Sequence, residues 1–105
     1  MVGQISHPGR QCESRIQKNP VSASDVQLEG NIMGMTFEKP HAATDDEIHR
    51  IIDGFAHASE FLEKAGYDGA ELHGAHGYVM SQVPFGLASM LTIQIFACAI
   101  LVPNH

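Results

Sequence analysis

The sequence predicts an α/β fold, and three consecutive stretches carry that expectation. A helix with one apolar face runs from Thr44 to Ala65, a glycine stops it at Gly66, and a short alternating strand follows over Ala70, Glu71 and Leu72. Beyond the strand comes a loop of small residues bearing His73, His76 and Tyr78. In α/β proteins the loops at the carboxyl ends of strands line the pocket, so this loop is where chemistry is expected.

Taken in order, Val2 to Ser6 is a short, partly apolar run that reads as a strand. Pro8-Gly9 ends it, because proline cannot donate to a ladder and the pair favours a turn. Cys12 to Pro40 is loop-like: Asn19-Pro20, Ser22-Ala23-Ser24-Asp25 and Gly30-Asn31 are turn formers, and no period is sustained. A loop of that length marks either function or disorder, and its residues fit both.

Thr44-Asp45-Asp46-Glu47 opens the helix. Thr44 is a good N-cap, Glu47 completes a capping box three residues on, and acidic residues suit the positive helix end. Ile48, Ile51, Ile52, Phe55, Ser59, Leu62 and Ala65 recur at the spacing of one face, with Arg50, Asp53, Glu60, Glu63 and Lys64 on the other. His49 and His57 on this helix, and His41 before it, are expected to be solvated surface residues, since no carboxylate completes a metal site with them. Gly66 enters the left-handed conformation without a Cβ penalty, and Asp68-Gly69 turns the chain into the strand.

Composition narrows the function classes. The chain has 105 residues and a net charge of −6, with no basic cluster, so no nucleic-acid partner is expected. Cys12 and Cys98 are the only cysteines and form no CxxC spacing, which argues against a disulfide framework or a zinc site. Met1-Val2-Gly3-Gln4 lacks the charged region and apolar core of a signal peptide, and the expected location is the reducing cytoplasm.

His73, His76 and Tyr78 can be read chemically as they stand. A carbonyl oxygen that accepts hydrogen bonds from two imidazoles becomes electron-poor, and so does a C=C conjugated to it. Negative charge that collects on the oxygen meets donors already aimed at it. A phenol on the opposite face can protonate the α-carbon. Two other readings stand beside this one: an ordinary solvent loop, and a metal site, for which zinc would need a third protein ligand. No metal is expected.

Two motifs carry a family resemblance. Glu71-Leu72-His73-Gly74-Ala75-His76-Gly77-Tyr78, with Ser81-Gln82 after it, resembles the active-site segment of the old yellow enzymes, flavin-dependent ene-reductases and NAD(P)H:flavin oxidoreductases. Gln4-Ile5-Ser6-His7-Pro8-Gly9-Arg10-Gln11 resembles a second family motif, in the correct order along the chain. The resemblance implies a partial TIM (β/α)8 barrel of two barrel strands and one outer helix; a whole barrel takes about 250 residues. It also implies FMN as cofactor, NAD(P)H as reductant, and a small-molecule substrate with an activated alkene. His73 and His76 would bind the substrate's carbonyl, Tyr78 would donate the proton, and Gln4 would hydrogen-bond the flavin's pyrimidine portion. A carboxamide suits that last role, offering both a donor and an acceptor. Arg10 would either stabilise a reduced, anionic flavin or anchor its loop, the structural role being the better reading. Gly74, Ala75 and Gly77 would let flat ligands approach closely.

The resemblance stops at Gln82. Residues 1–82 are therefore expected to form the barrel portion, and residues 83–105 a divergent apolar tail. Met90 to Val102 is almost uncharged and near the ~20 residues a membrane helix needs. Pro84, Gly86 and Gln94 and the lack of flanking Lys or Arg weaken a membrane reading. A truncated chain without cofactor, or a small membrane-tethered protein, are the alternatives to an FMN-dependent reductase. Oligomeric state leaves no mark on the sequence.

Overall fold

Residues 1–82 are described by a computed structural model. In chain order they form β1 (Val2–Ile5), a 3-10 turn over Gly9–Gln11, β2 (Val21–Ser22), β3 (His41–Ala42), α1 (Asp45–Lys64), β4 (Gly69–Leu72) and the short helix α2 (Val79–Gln82). β1 and β4 pair in parallel, in register from Val2 opposite Gly69 to Ile5 opposite Leu72. β2 and β3 make a second parallel pair, Val21 opposite His41 and Ser22 opposite Ala42. Parallel strands need a crossover, and α1 supplies it between β1 and β4.

Helix α1 starts where its sequence says it should. The Thr44 hydroxyl accepts from the Glu47 backbone N–H at 3.3 Å, and the Glu47 carboxylate accepts from the Thr44 N–H at 2.9 Å. Those hydrogen bonds, the backbone one first and then one from His41, hold the Glu47 carboxyl below its ordinary range. At the other end Gly66 adopts φ 86°, and the Tyr67 N–H reaches back to the Leu62 carbonyl at 3.0 Å. That is a Schellman-type closure, which satisfies carbonyls the helix leaves unpaired.

α1 lies against one face of the β1–β4 pair. Gly3, Ile5, Ala70 and Leu72 are half buried on that side, whereas Val2, Gln4 and Glu71 on the other face are exposed. Contact is closest at Gly3, where an added Cβ would stand 2.5 Å from Leu62 Cδ1. Phe55, 5% exposed, is the most buried residue of the helix. Ile48, Ile51, Ile52, Ser59 and Leu62 are half buried as the apolar spacing predicts, while Ala65 at the helix end is exposed.

Two expectations need amending. The Cys12–Pro40 excursion is not featureless: it contributes β2, an antiparallel bridge between Glu13 and Phe37, and the buried Phe37. His41 is not a solvated histidine either. It sits in β3, half buried, with Nε2 2.8 Å from Glu47 Oε1, so the capping-box carboxylate serves both the helix end and the imidazole. Among the described residues no helix is long and apolar enough to cross a membrane. The apolar run Met90 to Val102, with the tail expected over residues 83–105, lies outside the described residues.

Candidate functional site

The site loop grows directly out of the sheet. His73, the residue after β4, still donates its N–H to the Ile5 carbonyl at 2.9 Å, so its position is fixed by the ladder. The chain then turns sharply. His76 and Gly77 take φ values of 58° and 73°, consecutive left-handed conformations that only the second adopts without cost. Tyr78 donates its N–H to the Ala75 carbonyl at 3.3 Å, and Val79 opens α2 by donating to the His7 carbonyl at 3.0 Å. The loop is thus tied at one end to the last residue of β1 and at the other to the segment just after it.

This turn brings the three predicted side chains together. His76 Nδ1 lies 3.2 Å from His73 Nε2, with ring centroids 5.0 Å apart and planes at 71°. The Tyr78 ring meets His73 edge-on, at a 5.0 Å centroid separation and 72°. One facing nitrogen carries the hydrogen and the other accepts it. His73 and Tyr78 are half buried and His76 is exposed, so the cluster opens to solvent.

Gln4 stands apart from this cluster. It lies on the open face of β1, directly opposite Glu71 in register, and its Nε2 donates to Glu71 Oε1 at 3.0 Å. The other amide hydrogen and the carbonyl oxygen of Gln4 have no partner in this pair, and the face around them carries no bulky cover among the described residues. Arg10 has a buried Nε without a hydrogen-bond partner among the described residues. An exposed carboxamide with a donor and an acceptor to spare fits a flat, carbonyl-bearing heterocycle such as a flavin, and the Arg10 guanidinium has a donor left over on its own side. Also among the described residues, no three His, Cys, Asp or Glu side chains gather to hold a metal ion.

Residues that were not singled out as site residues hold the loop. His7 is half buried, and burial keeps its imidazole below the ordinary value; its Nδ1 accepts the Gly9 N–H at 3.1 Å. Gln11 donates to the His76 carbonyl at 2.6 Å, and Gln82 to the Gly77 carbonyl at 2.7 Å. Ser22, 1% exposed, donates to Gln82 Oε1 at 2.8 Å. The two glutamines fall inside the quoted motifs, and their carboxamides were the available signal. Ser22 gave none, because a serine in a Ser-Ala-Ser-Asp run reads as a turn. A separate groove of about 410 Å³, lined by Ile5, His7, Ile51 and Phe55 among others, lies on the helix side and includes none of the predicted site residues.

Comparison with known proteins places these observations. The profile of the NADH:flavin oxidoreductase / NADH oxidase family matches residues 1–85. The NADH-dependent flavin oxidoreductase nadA of Aspergillus parasiticus is 61% identical over 82 residues, covering 78% of this chain and 18% of that protein. The 12-oxophytodienoate reductase 1 of Oryza sativa subsp. japonica is 43% identical over 82 residues, covering 75% of this chain and 22% of that protein. The chain therefore spans about a fifth of the length of these curated relatives. Among solved structures, morphinone reductase in complex with tetrahydroNAD superposes with a TM-score of 0.78 at 20% identity, over 94% of this chain and 35% of that one. Such a likeness shows the fold: the βαβ unit of β1, α1 and β4 is part of a TIM-type barrel.

Proposed function

Because this chain belongs to the NADH:flavin oxidoreductase / NADH oxidase family, we propose that its His73–Tyr78 loop is the substrate end of an FMN-dependent reductase of activated C=C bonds that draws on NAD(P)H. The observation that carries this reading is the 3.2 Å approach of His73 Nε2 and His76 Nδ1, with the Tyr78 ring against His73. A carbonyl oxygen of an α,β-unsaturated substrate displaces the bond between the rings, and once the accepting imidazole shifts to its other tautomer each ring offers that oxygen an N–H. Charge that builds on that oxygen then meets two preorganised donors, which is where such sites gain most of their rate. Tyr78 holds its proton for the α-carbon. Gln4, and Arg10 in support, would hold FMN, which when bound supplies the hydride. Open strand surface at Gln4 and the spare donors of both side chains support that fit.

A second reading is favoured by one observation. The Gln4 amide is already taken by Glu71 Oε1 at 3.0 Å, and that exposed carboxylate would face the carbonyls of a flavin laid on this surface. On that reading the chain carries the family's site loop and holds no flavin.

Titration of the purified chain with FMN, followed by flavin fluorescence, separates the two. The reductase reading expects saturable binding, weakened about tenfold in Gln4→Leu by loss of one hydrogen-bonding group. It further expects NADH oxidation that depends on added 2-cyclohexenone. Absence of saturable FMN binding sinks it.

A further inference from the structure

We propose that Gln11 and Gln82 are positioning residues that set the His73–His76 geometry by clamping two adjacent carbonyls of the site loop, with Ser22 of the excursion fixing the rotamer of Gln82. The inference rests on the functional reading above for its catalytic meaning, but its geometry stands on its own.

The loop needs a clamp. His76 occupies the left-handed region at φ 58° without being glycine, and Gly77 follows at 73°. A strained non-glycine residue persists only where the surroundings over-determine it. Here two carboxamides do so from opposite ends of the described chain. Gln11 Nε2 donates to the His76 carbonyl at 2.6 Å, and Gln82 Nε2 donates to the Gly77 carbonyl at 2.7 Å. Together they hold the two peptide planes that follow His76, the first of which flanks its Cα and so bears on where the ring points.

Gln82 is itself held. The Ser22 hydroxyl donates to Gln82 Oε1 at 2.8 Å, which turns the amide so that its nitrogen faces Gly77. Ser22 is 1% exposed, the most buried side chain of the described residues. Space for the amide exists because Gly9 has no side chain; a Cβ there would stand 2.6 Å from Gln82 Nε2. Gly77 is hemmed in likewise, with a Cβ placed 2.8 Å from Gln11 Nε2. The long excursion thereby acquires a role: β2 delivers the buried hydroxyl that orients the clamp.

Nitrogen-15 shifts of the two imidazoles, read through their carbon-bound protons, test this on the chain without cofactor. In the unaltered chain the facing nitrogens show complementary tautomers, one protonated and one not. Gln82→Met keeps the bulk against Gly9 but loses the donor, and Gln11→Met does the same on the other carbonyl. Each is expected to release both rings to the mixed tautomers of free imidazole, while the backbone amide of His73 stays protected in the ladder. Gln11→Lys, which keeps a donor, is expected to restore the locked pair. Where Gln82→Met fails to fold, Gln11→Met and its lysine counterpart decide alone. Unchanged imidazole shifts in Gln11→Met overturn the proposal. In FMN-loaded protein the same variants should lower 2-cyclohexenone turnover about 100-fold, as a misplaced group does, with KM for NADH unchanged. Loss of turnover in the unaltered chain as well would count against the functional reading and leave the tautomer result to judge the clamp.

Discussion

His7 illustrates how one side chain links the sheet to the site. Its carbonyl receives the Val79 N–H, and its Nδ1 accepts the Gly9 N–H, a bond that requires a lone pair on that nitrogen. Burial, which disfavours the charged ring, lowers the His7 value from its ordinary 6.5. Below that ordinary value the unfolded chain takes up a proton that the folded chain resists. The contribution is therefore fully present above it and drains away as pH falls towards the folded value. His7→Asn, whose side-chain oxygen can still accept from Gly9, removes this titration. Thermal melts between neutral pH and about pH 5 should show a shallower acid loss in the variant than in the unaltered chain. Equal slopes would mean that the ring is protonated freely in the folded state.

Among the elements, α1 bears most of the organisation, and its capping box and its docking can be tested apart. Thr44→Ala removes the acceptor for the Glu47 N–H and should cost about 1 kcal/mol in denaturant melts, the usual worth of an N-cap. Gly3→Val is the sharper case. Valine is the better strand former, so local propensity predicts a gain. The 2.5 Å approach of Leu62 to a Cβ at that position predicts instead a loss of about 1–3 kcal/mol from overpacking, partly recovered by adding Leu62→Ala. The sign of the change decides whether helix–strand contact or strand propensity governs β1. The sequence announces α1 and β4 clearly, because a capping box, an apolar stripe and a glycine stop are local signals. β2 and β3 are silent: two-residue strands have no period, and their pairing spans the excursion. His41 with Glu47 was equally hidden, since the bond depends on β3 turning that ring towards the helix start.

For the molecule as a whole, the parallel pairing of β1 with β4 brings two sequence motifs that are far apart in the chain to one end of a sheet. Ile5 receives the His73 N–H, and His7 receives the Val79 N–H, so the Gln4–Gln11 motif and the Glu71–Gln82 motif are stitched together by backbone bonds. The residues of each motif were legible one by one. Their convergence was not, because Ser22 with Gln82 and Gln11 with His76 are contacts between segments roughly sixty residues apart. The account centres on an imidazole pair that grips the substrate oxygen while Tyr78 supplies the proton. Its most direct test is single-turnover reoxidation of reduced flavin by 2-cyclohexenone in FMN-loaded protein, compared with His76→Ala and Tyr78→Phe. His76→Ala should weaken enone binding by about tenfold or more, the worth of one hydrogen bond to developing charge. Tyr78→Phe should bind the enone normally and reoxidise at least about 100-fold more slowly. Enone binding and reoxidation unchanged in both variants would contradict the account.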